Sequence, residues 1–143
     1  ISLNTQCATK KINDYDKITT KKEAVFIYKY YTRGFYKEHQ ISEEKIKTYL
    51  DYQKKEFTQK AVTPIDWLKC LELLTEIDLA GFEKLESPSG LRHSDKVQHA
   101  ELTIKINNTT FKSRSFDHGN PPKDIKRLVN HLLYLSEMEA VKN

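Results

Sequence analysis

The residue types that could do chemistry are concentrated in two segments of the second half of the chain. The segment LRHSDKVQH contains Arg92 and Asp95, and the segment SFDHGNPPKDI contains Asp117 and His118. Carboxylates near an imidazole are used in general-base hydrolysis, and both groups also bind metal ions. A small hydrolase-like or metal-dependent site built from Asp95, Asp117 and His118 is therefore one hypothesis.

Neither chemistry is accompanied by its usual motif. The chain has no HExxH, no paired CxxC, no aspartate-rich calcium loop and no GxSxG elbow. A serine could be combined with His118 and Asp95 into a triad, but a chain with five histidines offers many such combinations. The sequence therefore favours a non-enzymatic domain without a metal or another cofactor. Its candidate binding residues are Arg33, Arg92, Asp95, Asp117 and His118.

A structural interpretation of SFDHGNPP competes with the chemical one. Gly119 can adopt a left-handed conformation, and Asn120 can cap a helix that opens with the prolines at 121–122. Asp117 can accept a hydrogen bond from the backbone two residues on, as aspartate does in turns. This interpretation accounts for the whole corner except His118.

The dipeptide Arg33–Gly34 predicts a hairpin turn in which the glycine is free to take a positive φ. Two interpretations of Arg33 stay open. Its side chain is either solvated or paired with Asp95 or Asp117 across the end of the domain.

The first half of the domain is predicted to form β-strands. EAVFIYKYYT alternates, with Phe26, Tyr28 and Tyr30 on one face, and FYKEHQIS returns as its hairpin partner. Residues 43–60 are interpreted as two more strands, with a helix over 43–56 as the alternative because glutamate and lysine favour helices.

Helices and further strands follow. TPIDWLKCLELLTEIDL predicts a helix capped by Thr63, and residues 79–97 form a long connection. HAELTIKI and TTFKSRSF predict a hairpin around Asn107–Asn108, and an amphipathic helix starts near Pro121. The fold class is therefore α+β: an antiparallel sheet of about six strands with two amphipathic helices on one face, in a single domain over 23–143.

Composition limits the function classes. The net charge of +4 comes from 24 basic and 20 acidic residues, and the lysines are dispersed rather than gathered in a stripe. This argues against nucleic acid as a partner. No apolar run is long enough to cross a bilayer.

Residues 1–22 are interpreted as a tether or the remnant of a signal peptide. Cys7 is then a candidate lipid-accepting residue and a membrane tether, and the expected location is periplasmic or envelope-anchored, with the cytoplasm as the alternative. A Cys7–Cys70 disulfide is the other use of the cysteines, but apolar neighbours favour a buried free thiol at Cys70.

Several motifs together resemble a group of small uncharacterised proteins of Bacteroidetes-type bacteria. They are YTRGFY, DWLKCLELLTEIDL, LRHSDK and the segment from AELTIKINN to FDHGNPPKDIKRLVNHLL, and the similarity covers about residues 24–136. The resemblance implies an exported protein or lipoprotein with an FD-x-GNPP turn before its last helix, and it supplies no activity to transfer to this chain. The positions it singles out are Arg33, Gly34, Trp67, Asp95, Phe116, Asp117, Gly119, Asn120 and Pro121.

The leading functional prediction is an exported, non-enzymatic interaction domain for an unknown protein partner or small ligand. Its uncovered sheet face becomes a docking surface if the tyrosines lie outside. The alternatives are the hydrolase-like or metal-dependent site and a secreted inhibitor or immunity-type protein. The oligomeric state is left open.

Overall fold

The computed structural model describes residues 23–138, which form a seven-stranded antiparallel sheet and two α-helices. The strands are β1 Val25–Thr32, β2 Phe35–Ile41, β3 Lys45–Tyr49, β4 Phe57–Ala61, β5 His99–Ile106, β6 Thr109–Lys112 and β7 Phe116–Asp117. The helices are α1 Pro64–Thr75 and α2 Lys126–Glu137, with 3₁₀ turns at Leu79–Lys84, Leu91–Ser94 and Lys123–Ile125. The strand order is β4-β3-β2-β1-β5-β6, and β7 also pairs with β5. The predicted α+β class is confirmed.

Both helices cover the same face of the sheet. The Trp67 ring of α1 meets the Phe26 ring edge-on with 5.7 Å between centroids. At the other end of β1, the Tyr30 hydroxyl donates a hydrogen bond to Glu137 of α2. Because Phe26 and Tyr30 are four residues apart on one strand, they lie on one face.

The two strands predicted over residues 43–60 are present, and the helix alternative is wrong. Ile46 and Thr48 are buried while their neighbours in β3 are more exposed, so the period is two. The carboxylate of Asp51 accepts hydrogen bonds from the backbone of Lys55 and Glu56, each at 3.0 Å, and closes the connection to β4. Burial of one strand face therefore outweighs the helix preference of glutamate and lysine.

Helix α1 begins as expected, because the Thr63 hydroxyl accepts a hydrogen bond from the Asp66 backbone at 3.2 Å. Its inward side includes Cys70, which is fully buried as a free thiol. Burial raises the pKa of this thiol to about 12, and the charge of Asp66 adds to the effect.

The start of the last helix differs from the prediction. Helix α2 begins at Lys126, after a 3₁₀ turn, and the Asn120 side chain does not cap it. Instead the Asn120 amide donates to the Ser89 hydroxyl at 2.9 Å. The prolines at 121–122 carry no backbone N–H groups, so few donors lie within reach of a cap at this position.

The two predicted turn glycines behave differently. Gly119 has a φ of 94°, in the region that favours glycine, whereas Gly34 does not take a positive φ. Gly34 therefore has no conformational requirement for glycine. The hairpin at Asn107–Asn108 is confirmed, with Asn107 left-handed at a φ of 57°.

Over residues 23–138, no helix has the length and apolar character needed to cross a membrane. The interpretations of residues 1–22, of lipidation at Cys7 and of the Cys7–Cys70 disulfide lie outside the described residues.

Candidate functional site

The buried carboxylate of Asp117 is held by four hydrogen bonds. Its Oδ2 accepts from the Ser89 hydroxyl at 2.6 Å and from the Leu91 backbone at 2.8 Å. Its Oδ1 accepts from the backbone and the guanidinium of Arg92, each at 3.0 Å. Burial acts to raise the pKa of this carboxyl, but the hydrogen bonds from Ser89 and Arg92 outweigh it and hold the pKa well below its usual range. The predicted bond from Asp117 to its own turn is therefore wrong, because the carboxylate binds the 89–92 segment instead.

Arg92 is fixed by the same contacts. Its guanidinium also donates to the Ser89 carbonyl at 2.8 Å and to the Ser115 hydroxyl at 3.1 Å. The side chain is 10% exposed. Arg92 thus joins the long 79–97 connection to the end of the sheet through its Nε and Nη1 groups.

His118 lies on the opposite side of the sheet from Asp117. Asp117 pairs with His99 in the strand register, and successive side chains alternate between faces. The His118 ring stacks on Tyr30, with centroids 3.8 Å apart and planes within 3°, and its Nδ1 lies 2.9 Å from the Tyr28 hydroxyl. Burial lowers the pKa of His118, and the charges of His39 and Lys37 lower it further, against the opposing effect of Glu137.

These positions do not support the hydrolase-like or metal-dependent hypothesis. The structure does not bring Asp95, Asp117 and His118 together, and Asp117 is occupied by backbone and arginine donors. Within residues 23–138, no group of three histidine, cysteine or acidic side chains is arranged to hold a metal ion.

Three of the five predicted binding residues instead line one cleft at the end of the sheet, which we call the end cleft. Its volume is about 410 Å³, and its walls are Tyr31, Thr32, Arg33, Tyr52, Arg92, His93, Asp95 and His99. The 3₁₀ turn at Leu91–Ser94 places Asp95 in a left-handed conformation with a φ of 59°. The hairpin between β1 and β2 supplies Arg33.

The end cleft holds two exposed charges of opposite sign. Among the described residues, neither Arg33 nor Asp95 makes an ion pair. The predicted pairing of Arg33 with Asp95 or Asp117 is therefore wrong, and Arg92 is the partner of Asp117. In the wall of the same cleft, the Tyr31 ring stacks on His99 with 5.5 Å between centroids.

The uncovered sheet face carries tyrosines, as the docking hypothesis requires, but part of their surface is covered. Tyr31, Tyr36 and Tyr49 do lie on it, on the side opposite the buried Tyr28. Tyr36 is nevertheless covered by Tyr52, with 4.3 Å between ring centroids. Exposed aromatic surface remains at the end cleft, where Tyr52 is 58% exposed, and at Phe57 of β4, which is 48% exposed and lies outside the cleft.

Sequence reasoning missed a polar cluster beneath α2. His39 is 2% exposed and connects the Thr48 hydroxyl, at 2.7 Å from Nδ1, to Glu137, at 2.8 Å from Nε2. Hydrogen bonds from His39 and Tyr30 lower the pKa of Glu137 to about 2, although burial opposes them. The signal was present in the sequence, because the alternation of β2 places His39 on the buried face.

Besides the network around Asp117, the end cleft and the cluster beneath α2 are two places where polar groups converge. No protein-family model matches the chain, and no curated protein is significantly similar to it. The geometry of these two places is therefore the basis for assigning a function.

Proposed function

We propose that this protein is a non-catalytic binding domain whose end cleft recognises a polypeptide segment that carries both an acidic and a basic group. One observation carries the proposal: the cleft presents Arg33 and Asp95, opposite in charge, exposed and without ion-pair partners among residues 23–138. A guanidinium binds carboxylates through paired hydrogen bonds, and a carboxylate accepts from lysine or arginine.

The surroundings of the two charges suit recognition rather than catalysis. Arg92 is held by Asp117, so the back of the cleft is rigid. Tyr52 offers an exposed aromatic surface beside the charges, and tyrosine is enriched at protein interfaces. A preorganised wall lowers the entropy lost on binding.

The presence of both a positive and a negative charge in the end cleft also argues against nucleic acid as its ligand. A polyanion would gain from Arg33 but would be repelled by Asp95. A segment of mixed charge satisfies both residues. Each exposed ion pair contributes only about 0.2–1 kcal/mol, so several contacts along the segment are needed.

A peptide array probed with labelled protein tests the proposal. We expect the wild-type protein to bind peptides that contain both an acidic and a basic residue, and Arg33→Gln and Asp95→Asn each to weaken that binding by up to about fivefold. Asparagine tolerates the left-handed conformation of residue 95, so the second variant removes charge without backbone strain. Lys105→Gln is the matched control, because Lys105 is exposed on β5 outside the cleft. Binding that is equal in all variants, or limited to acidic peptides, would contradict the proposal.

The proposed location is the cell envelope. The support is the composition of residues 1–11 around Cys7 and the resemblance of the later motifs to exported proteins. Mass spectrometry of the native protein should find a diacylglycerol group on Cys7; an unmodified cytoplasmic protein would end this part of the proposal. Isolation of the native protein with one tightly bound protein would identify the inhibitor or immunity type of binding domain.

A further inference from the structure

We propose that β4 is an interaction surface on which a second copy of this chain pairs strand to strand, so that the two sheets join into one. β4 lies at the end of the strand order, and all five of its residues are exposed. Within residues 23–138, no strand pairs with its outer edge. The opposite edge of the sheet differs, because the 3₁₀ turn Leu79–Lys84 packs against β6. β4 is therefore an open edge.

The hydrogen bonds to β3 determine which backbone groups of β4 point outward. The N–H of Leu50 donates to the Glu56 carbonyl at 3.1 Å. The N–H of Val62 donates to the Glu44 carbonyl at 3.0 Å. Because every second pair of an antiparallel ladder is hydrogen-bonded, the even-numbered residues of β4 bond to β3. The N–H and C=O groups that point away from β3, toward an added strand, belong to Phe57, Gln59 and Ala61.

The sequence of β4 is complementary to itself in the antiparallel direction. The side chains of Glu56, Thr58 and Lys60 lie on one face, because alternate residues of a strand share a face. With a two-fold axis at Thr58, the two copies of this threonine face each other, and Lys60 of each copy lies directly opposite Glu56 of the other. An axis at Glu56 or at Lys60 would place like charges opposite each other. The charges therefore favour a second copy as the partner, in the register centred on Thr58.

The cross-strand pairs in this register are of kinds that stabilise antiparallel sheets, namely threonine with threonine and opposite charges. On the other face, Phe57 is 48% exposed and lies opposite Gln59 of the second copy, so part of its ring leaves water. Each copy contributes one short strand, so the interface is of the small, transient class. We expect a dissociation constant near about 0.1 mM.

Lys60 has a double role at this edge. An unpaired lysine on an edge strand opposes pairing with other strands. In the single chain, the Lys60 Nζ donates to the Met138 carbonyl at 3.1 Å. Among residues 23–138, the Glu56 carboxylate makes no ion pair of its own. In the dimer the two groups meet across the axis, so the lysine excludes strands that lack an acidic residue and accepts the second copy.

Sedimentation equilibrium from about 10 µM to about 1 mM tests the inference, and we expect a monomer–dimer equilibrium over this range. Lys60→Glu replaces both opposite-charge pairs by like-charge pairs, so the dissociation constant should increase about tenfold or more. Combining it with Glu56→Lys exchanges the two charges and should restore a value near that of the wild type. Lys112→Glu is the matched control, because it makes the same charge change at an exposed position of β6.

Gln59→Pro tests the backbone pairing itself. It removes an N–H that points away from β3, so it should abolish the dimer while the thermal midpoint of the dilute protein stays close to that of the wild type. If this variant does not fold, the charge variants still decide the question. A wild type that stays monomeric at about 1 mM would leave β4 to the strand of another protein and would overturn the inference. A dimer that persists in Gln59→Pro, or a double variant that associates no better than Lys60→Glu, would overturn it as well.

Discussion

The buried carboxylate of Asp117 and the guanidinium of Arg92 meet at 3.0 Å, at the place where the long 79–97 connection crosses the end of the sheet. The same carboxylate also accepts from the backbone N–H groups of Leu91 and Arg92, at 2.8 and 3.0 Å. One side chain thus fixes the turn that carries Asp95 into the end cleft. The conformation of the cleft therefore depends on a residue that lies outside it.

Asp117→Asn should lower the free energy of unfolding by about 3 kcal/mol, because it leaves the Arg92 charge buried without its partner. The asparagine also places an amide N–H₂ group opposite hydrogen-bond donors that the Asp117 carboxylate accepts from in the wild type. Urea denaturation measures the loss, and hydrogen exchange should show faster exchange at Leu91 and Arg92. Asp95→Asn is the matched control and should change stability by less than about 0.5 kcal/mol, because Asp95 is exposed. Equal effects of the two substitutions would contradict this account.

Gly119→Ala should destabilise the protein by about 1 kcal/mol, because residue 119 has a φ of 94° that alanine adopts only with strain. The space around the glycine is open, so the cost is conformational and not steric. Gly34→Ala is the control, since Gly34 has open space as well and no positive φ. Thermal denaturation of both variants should show a lower midpoint for Gly119→Ala alone, and a similar loss in both would refute the distinction.

The fold could be predicted from local patterns because each element carries its own signal. The alternation of buried side chains in β1 and β5 and the Thr63 cap of α1 are short-range features, and all are present. Gly34 and Asn120 were misjudged because their roles depend on neighbours. The backbone at Gly34 closes its turn without a positive φ, and Asn120 binds Ser89, which is 31 residues away.

The candidate site could be predicted only in part, because the contacts of its residues also depend on distant parts of the chain. Arg33, Arg92 and Asp95 do line one cleft. Proximity in sequence suggested that Asp117 and His118 act together, yet adjacent strand residues point to opposite faces. The partner of Asp117 is 25 residues away, and no local pattern identifies which of the nearby arginines it binds.

Cys70 should be unreactive in the folded protein, because only the thiolate is a good nucleophile and burial raises the pKa of this thiol to about 12. The experiment uses Cys7→Ser, which leaves Cys70 as the only thiol of the chain. Labelling with a disulfide reagent should be slow in buffer and should increase with urea in parallel with unfolding. Rapid labelling without denaturant would show that α1 opens locally, contrary to the packing of Cys70 in the core.

Lowering the pH should destabilise the protein through His118 at pH values where the carboxyl groups of the protein are still ionised. Burial lowers the pKa of His118 in the folded state, whereas the unfolded chain has the ordinary value of about 6.5. The unfolded state therefore binds the proton first, and stability decreases as the pH falls below about 6.5, until the folded-state pKa is passed. Above about pH 5.5 the carboxyls of Asp117 and Glu137, whose pKa values are lowered, are ionised in both states and add no slope.

His118→Phe tests this assignment, because phenylalanine can still stack on Tyr30 but cannot titrate. The variant should lose about 1 kcal/mol at pH 8 from the missing bond to the Tyr28 hydroxyl. Its urea midpoint should then change less than that of the wild type between about pH 8 and about pH 5.5. His93→Gln, a substitution of an exposed histidine, should keep the wild-type slope. If the urea midpoint of His118→Phe changes with pH as much as that of the wild type, the titrating group is another residue. His39→Gln would then be the next variant to measure, since His39 is the other histidine in contact with Tyr30.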